Sequence, residues 1–410
     1  MSQKPLIRFL DRTTPPHIVT LVVLAGVGSI AQSMFLPSLT GMARYFAVDY
    51  GLMQLALSGY MIMTALVQLI AGPISDRVGR RPVALAGLAI FVVATIGILM
   101  ATRFEIFIIF RMLQAASAVG IMLGRSAVRD VYEPSDAAAM LGYVSMGISV
   151  LPMFGPALGG ALDQVFGWRA SFTLNLVFAL IVIFVVWRDM GETNARVVNR
   201  VAGAPRTPTP PIGPLLRAPR FWGYCAAFTM ASAAFFALLG AASFVGQEVF
   251  GLSAFVSGLG LAAPAFGFMI GNFLSARFAP RIGINRMATW GTYAGTGSSL
   301  LLFACGLAGW QDVTLFFTVC FFIGLGNGVT VPNATVGSLS VRPELSGTAA
   351  GLGGALMIGG GGVFAGIAGM TLNVETGALP LEGIMFACSL CGLLAMTYVT
   401  RRARRLGKDL

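Results

Sequence analysis

Apolar stretches of about twenty residues follow one another along most of this 410-residue chain. Only 10% of its residues are charged, whereas soluble domains carry about 25% charged residues. Each stretch is long enough to cross the hydrocarbon core of a bilayer as a helix. A helix pairs its own backbone N–H and C=O groups, and it must do so because lipid offers them no hydrogen-bond partners. The sequence therefore predicts an all-α membrane protein.

We predict twelve transmembrane helices in two six-helix halves. The long connection 189–219 is rich in proline and arginine, which is typical of an extended linker. It separates an N-terminal half at 1–188 from a C-terminal half with a basic tail at 220–410. The spans are expected at 17–39, 51–72, 83–101, 104–125, 137–161, 169–188, 221–243, 253–276, 287–307, 311–331, 347–371 and 381–400.

The basic residues are distributed very unevenly between the two sides of these spans. Of the 27 Lys and Arg residues, only Arg44, Arg103 and Arg169 fall on one side, while Arg111 lies inside the fourth span. Because basic loops stay in the cytoplasm, we expect a multi-pass protein of the cell inner membrane with both termini and the linker cytoplasmic. The net charge of +11 is spread between spans instead of forming one patch, so we expect no nucleic-acid partner.

Three segments combine residue types that a simple membrane anchor does not need. Residues 72–81 read Gly-Pro-Ile-Ser-Asp-Arg-Val-Gly-Arg-Arg, although positive charge alone would hold this loop inside. Arg111, with Gln114 one turn later, lies within a span, where a guanidinium is costly unless it faces a partner or a cavity. Snorkelling to the interface is the alternative for Arg111. Residues 155–160, Gly-Pro-Ala-Leu-Gly-Gly, predict a bent helix with close helix contacts.

These segments resemble motifs of the major facilitator superfamily. G-x-x-x-D-R-x-G-R-R at 72–81 resembles its loop between helices 2 and 3, and R-x-x-Q at 111–114 resembles its fourth-helix motif. G-P-x-x-G-G at 155–160 resembles the motif associated with proton-coupled exporters. Further likeness at 35–37, 129–132, 331–334 and 346–350 makes the chain similar to the Bcr/CflA group of drug-resistance exporters.

The resemblance implies roles for individual residues. It implies that Asp76 lies near the start of the eleventh helix, at about Gly347. It also implies that the gate holds the halves together on the cytoplasmic face in one conformation and breaks in the other. Proton coupling is implied at Arg111 and Gln114, with Gln32 as a further neighbour. The implied conformational gate comprises Gly72, Asp76, Arg77, Gly79, Arg80, Arg81 and Asp130, and the implied exporter motif comprises Gly155, Pro156, Gly159 and Gly160.

The sequence departs from the family pattern in its carboxylates. Many members carry an acidic residue in the first helix, where this chain has only Gln32 and Ser33. We find no acidic residue deep in any predicted span, so the sequence names no proton-carrying carboxylate. Acidic residues are instead expected at outer ends or in loops, as Asp49, Glu105, Asp163, Glu248, Asp312, Glu375 and Glu382.

The substrate cavity is expected to be apolar and adaptable, because Met and Phe side chains repack around varied ligands. We therefore expect a secondary transporter, namely a proton-coupled exporter of small lipophilic or antibiotic-like compounds. Its partners would be that small-molecule substrate, protons and the lipid bilayer, and the chain would act as a monomer. Candidate cavity residues are Gln32, Phe35, Met61, Phe235, Phe236 and Met357.

Other functions fit the composition less well. An importer or exchanger of a specific metabolite, or a lipid transporter, could use the same fold, but importers more often carry charged cavities. An enzyme is not expected, because the chain has one histidine, His17, and no converging set of catalytic residues. The five cysteines lie in or at the start of apolar runs, so we expect neither a metal site nor a cofactor. No nucleotide-binding loop of the G-x-x-x-x-G-K-[ST] type is present.

Overall fold

The computed structural model describes residues 8–131, 140, 144, 154–194 and 212–405. Within these ranges the regular structure is helical. The first half contains α1 (Ile18–Ser33), α2 (Leu39–Phe46), α3 (Tyr50–Met53), α4 (Leu55–Val78), α5 (Arg80–Met100), α6 (Phe104–Leu113), α7 (Ala118–Val131), α8 (154–166) and α9 (Arg169–Asp189). The second half contains α10 (Gly213–Leu216), α11 (Pro219–Phe244), α12 (Ala254–Gly260), α13 (Ala262–Ile282), α14 (Ile284–Leu307), α15 (Val313–Ser340), α16 (Ser346–Thr371) and α17 (Leu379–Arg405).

The helices agree with the predicted membrane spans. Ten helical segments of the described chain are long and apolar enough to cross a bilayer. The predicted span 287–307 corresponds to α14, which has 24 residues but carries several Gly, Ser and Thr. Most of the predicted span 137–161 lies outside the described residues, apart from the start of α8. The linker residues 195–211 and the end of the basic tail also lie outside them.

Close backbone approach holds the second half together. α15 lies between α13 and α14 and packs against both. On α15, Gly324 faces the carbonyl of Pro264, and Gly328 faces the backbone of Phe268. Small residues let membrane helices approach until their backbones touch, and dispersion forces then stabilise the pair. The glycine content of these spans therefore determines their packing.

Two spans are interrupted by short 3₁₀ turns. α1 and α2 are separated by Leu36–Ser38, where Pro37 removes a backbone donor. α6 and α7 are separated by Gln114–Ser117. Such turns inside long helices often mark functional positions. Here the second turn contains Gln114 and follows Arg111 directly.

We call the side that carries residues 72–82 the basic face, and the side that carries Arg44 the far face. The two halves are joined at their far-face ends. The hydroxyl of Tyr50 donates to the carbonyl of Gly240 over 2.6 Å. The amide of Gln247 donates to the carbonyl of Pro37 over 2.8 Å. An ion pair between Arg44 and Glu248 lies beside a surface depression of about 600 Å³.

Candidate transport site

Arg111 is completely buried near the break between α6 and α7. Its Nε donates to the carbonyl of Ala56 over 2.9 Å, and its Nη2 donates to the carbonyl of Ala31 over 3.0 Å. Its Nη1 donates to Oε1 of Gln114 over 2.6 Å. A helix carbonyl has a second lone pair, so α1 and α4 can accept these bonds without losing their own. Arg111 therefore connects three spans and does not snorkel to the membrane surface.

Aromatic rings enclose the same guanidinium. Its Cζ lies 4.2 Å from the ring centre of Phe35 and 4.2 Å from that of Tyr60. Ring faces attract cations, and the attraction strengthens when water is excluded. The hydroxyl of Tyr60 is held in turn by Ser117, 3.1 Å away. The described contacts of Arg111 are thus carbonyls, one amide and rings, with no carboxylate among them.

Gln114 links Arg111 to the third span. Its Nε2 donates to Oγ1 of Thr95 over 2.7 Å, and Thr95 donates to the carbonyl of Phe91. The expected pairing of Arg111 with Gln114 is therefore present. Gln32 is not among the described hydrogen-bond partners of Arg111, because the first helix reaches the guanidinium through the carbonyl of the preceding residue, Ala31. Backbone acceptors and ring stacking leave no mark in a sequence, which is why the prediction chose a polar side chain.

Arg80 is the centre of the charged cluster on the basic face. It lies 2.8 Å from Oδ1 of Asp76 and 3.1 Å from Oδ2 of Asp130. Its Nη1 also donates to the hydroxyl of Ser75 over 2.5 Å. These partners gather the predicted gate residues of α4, α5 and α7 in one place. All of them belong to the N-terminal half, so this part of the cluster does not join the two halves in the present conformation.

Asp76 pairs with Arg80 one turn along the chain, and its predicted place near Gly347 stays a prediction. α4 and α16 run antiparallel, with Ser58 facing Gly366 and Ala65 facing Gly359. An ideal Cβ at Gly347 would meet nothing within 4 Å, so the start of α16 borders open space.

The segment after α9 contributes residues that the sequence analysis missed. Glu192 accepts hydrogen bonds from the backbone amides of Arg80 (2.8 Å) and Arg81 (3.3 Å), at the start of α5. A carboxylate there satisfies free amides and complements the helix dipole. Asn194 donates to the carbonyls of Ser75 and Asp76 over 3.2 Å. The segment therefore clamps the predicted gate loop.

Glycine is required at the turn that this clamp covers. Gly79 has φ +117, a backbone conformation that side chains disfavour. A Cβ at this position would also collide with the carboxylate of Glu192. Arg81 adds a second contact between the start of α5 and the end of α9, because its side chain donates to the carbonyl of Trp187 over 3.0 Å. Gly72 lies in the last turns of α4, near the sulfur of Met122. Arg77, near the end of the same helix, also has an interaction partner.

The glycine motif of α8 packs at the boundary between the halves. Gly155 and Gly159 face Ser33 and Met34 at the end of α1. Gly160 faces the other half, where an ideal Cβ would lie 2.6 Å from the carbonyl of Ala254. The carbonyl of Pro156 lies 2.5 Å from an ideal Cβ on Gly258 of α12. The predicted close packing is therefore present, and it forms part of the far-face closure.

The six cavity candidates differ in exposure. Phe35 and Met61 are completely buried, Phe35 against Arg111 and Met61 against the α16 backbone. Neither lines an open cavity in this conformation. Partial exposure is found for Gln32, Phe235, Phe236 and Met357. Among the described residues, no group of three His, Cys, Asp or Glu side chains comes together as a metal site would require.

Comparisons with known proteins identify the family of the chain. A family model described as Major Facilitator Superfamily matches residues 21–366. Multidrug resistance protein D of Escherichia coli (strain K12) is 30% identical over 366 residues, which is 89% of this chain and 91% of that protein. The chloramphenicol resistance protein of Pseudomonas aeruginosa is 28% identical over 324 residues, covering 78% of this chain and 76% of that one.

Solved structures share the fold at low sequence identity. The crystal structure of a D-xylose-proton symporter has a TM-score of 0.72 at 14% identity, covering 93% of this chain and 96% of that one. A bacterial homolog to the human lysosomal transporter Spinster, in an inward-facing and occupied conformation, has a TM-score of 0.71 at 17% identity, covering 96% and 97%. Members of this family are transporters and not enzymes. The chain thus belongs to the major facilitator superfamily, with drug-resistance transporters among its relatives.

Proposed function

We propose that the chain is a proton-coupled exporter of small lipophilic or antibiotic-like compounds across the cell inner membrane. It would act as a monomer, with six-helix halves at 1–188 and 220–410 joined by the cytoplasmic linker 189–219. The printed names of its relatives, multidrug resistance protein D and a chloramphenicol resistance protein, support this class of substrate. The low charge of the spans supports neutral or amphiphilic compounds over strongly charged ones.

The observation that carries the proposal is the packing of the exporter-like motif in α8. Gly155 and Gly159 contact α1, while Gly160 and Pro156 contact the C-terminal half. In alternating access, one half rocks against the other around a central site. We call these contacts of Gly155, Pro156, Gly159 and Gly160 the glycine seam. It is well suited to that motion, because backbones that touch can seal the far face and separate again. We infer that this seam closes the exit path.

The orientation of the protein follows from the charge distribution. The basic face would be cytoplasmic under the positive-inside rule, so the conformation described here would be closed to the outside. Open space at Gly347 would then lie on the cytoplasmic side, from which a substrate enters. The partly exposed candidates Gln32, Phe235, Phe236 and Met357 are proposed to contact it.

Arg111 is proposed as the residue that couples protons to this motion. Its cage of carbonyls and rings spans α1, α4 and α6. Any rearrangement of α1 against α4 must therefore change the environment of a fixed buried charge. A negative partner that arrives or departs during the cycle would alter the balance between the two conformations.

Everted membrane vesicles test the proposal. Vesicles containing the protein should accumulate some dyes or antibiotics from a panel when the vesicle interior is made acidic. An uncoupler should abolish the accumulation. Vesicles without the protein serve as the control. Accumulation that persists with uncoupler, or its absence for every compound while a defined metabolite is carried instead, would refute drug export driven by protons.

A further inference from the structure

Glu382 is a buried carboxyl group that the sequence analysis took for an exposed one. It lies in the first turn of α17, at the far face, and is only 2% exposed. Its backbone amide donates to the carbonyl of Ala378. Its Oε2 atom is buried and has no hydrogen-bond partner in the described structure. A polar atom in that condition calls for an explanation.

The surroundings of Glu382 are apolar and uncharged. Gly306 of α14 leaves room for the Glu382 carboxyl group, because a Cβ at Gly306 would overlap Oε2. Leu379 borders the same position. Cys320 of α15 is the titratable side chain facing it, and that thiol is fully buried. α11 and α16 also pack against α17. Their far-face ends, 235–244 and 365–371, contain no titratable side chain.

No basic side chain is available to neutralise Glu382. The far-face connections of the C-terminal half, 245–260, 305–315 and 370–385, contain neither Lys nor Arg. The far-face arginines belong to the other half and are engaged there or at the boundary. Arg44 pairs with Glu248, Arg103 with Glu105, and Arg169 with the hydroxyl of Tyr45 and with backbone carbonyls.

We propose that Glu382 is a proton-binding site buried in the far-face end of the C-terminal half. A buried carboxylate without a partner is costly, whereas the neutral acid is much easier to bury. While α14, α15 and α17 cover it, the carboxyl group would therefore hold one proton and remain the neutral acid. These three helices all belong to the C-terminal half, so the proton would return to solvent only where their ends separate and admit water.

This inference rests on the proposed function for its place in a transport cycle, but its test needs neither a substrate nor a gradient. Infrared spectra of the purified protein at neutral pH should contain the carbonyl stretch of a protonated carboxylic acid. The band should be lost in Glu382→Gln and kept in Glu375→Gln, a matched control on the exposed connection before α17. An unchanged band in Glu382→Gln would overturn the proposal.

A second variant keeps the test decisive if Glu382→Gln does not fold. Gly306→Ala retains the carboxyl group but removes its space, so the acid band should shrink as Glu382 moves toward water. An acid band of unchanged size in Gly306→Ala would contradict the proposal. Failure of the parent to transport drugs would instead refute only the proposed function.

Discussion

Nη1 of Arg111 donates a 2.6 Å hydrogen bond to Oε1 of Gln114, the side-chain acceptor among the described partners of this guanidinium. The amide of Gln114 then donates to Thr95. Gln114 thereby links the third and fourth spans next to the Arg111 guanidinium, which has no counterion among its described contacts. The arrangement fixes the position of Arg111 while leaving its charge unneutralised, as a residue that responds to a passing proton or substrate requires.

Gln114→Leu should destabilise the protein more than Thr95→Val. Leucine leaves a buried, charged Arg111 donor without its acceptor, which costs more than the about 1–3 kcal/mol of a neutral unpaired group. The Thr95 hydroxyl still donates to the carbonyl of Phe91. Thr95→Val leaves one neutral amide donor of Gln114 unpaired but keeps the contact between Gln114 and Arg111. Thermal unfolding in detergent, followed by fluorescence, measures the difference. Equal midpoints for the two variants would show that Gln114 does not position Arg111.

Asp76→Asn should slow transport with little effect on insertion. The substitution removes one of the two carboxylates that pair with Arg80. Asp130 still pairs with Arg80, so we expect the variant to fold. Asp49→Asn at the far face is the matched control. Transport rates should be divided by the amount of protein in the membrane. Near-normal rates for both variants would contradict a gating role for the Asp76 carboxylate.

The prediction for Gly160 concerns the far-face closure. Gly160→Ala places a methyl group against the carbonyl of Ala254, so α8 and α12 must separate. Gly41→Ala is the control, because a Cβ there meets nothing within 4 Å. We expect Thr40→Cys to react faster with an impermeant thiol reagent in the Gly160 variant. A reaction rate equal to that of the Gly41 variant would mean that the seam does not close this face.

Topology is the fourth prediction. Reporter enzymes fused after Arg200 and after Arg405 should both be active on the cytoplasmic side, because the basic residues lie on that side of nearly every span. A reporter inserted at Gly309, between α14 and α15, should score external. An external signal at Arg200 or Arg405 would reverse the orientation on which the export direction depends.

The spans and the motif positions could be predicted because hydropathy and residue spacing are local signals. The clamp by Glu192 and Asn194 could not, because it joins residues more than one hundred positions apart. The cage around Arg111 was missed in part because the carbonyls of Ala31 and Ala56 carry no sequence signal. Proximity to a span end predicted exposure for Glu382, whereas neighbouring helices cover it.

The most direct measurement is accumulation of a transported compound in everted vesicles under an imposed pH gradient, for the parent, Arg111→Lys and Arg111→Ala. Arg111 donates through three nitrogens to carbonyls and an amide on three spans, which a lysine ammonium cannot match. We predict that the parent accumulates the compound, whereas both variants reach the membrane, equilibrate it downhill and fail to concentrate it. If Arg111→Ala concentrates the compound as the parent does, Arg111 has no role in coupling and this account of proton-driven export is wrong.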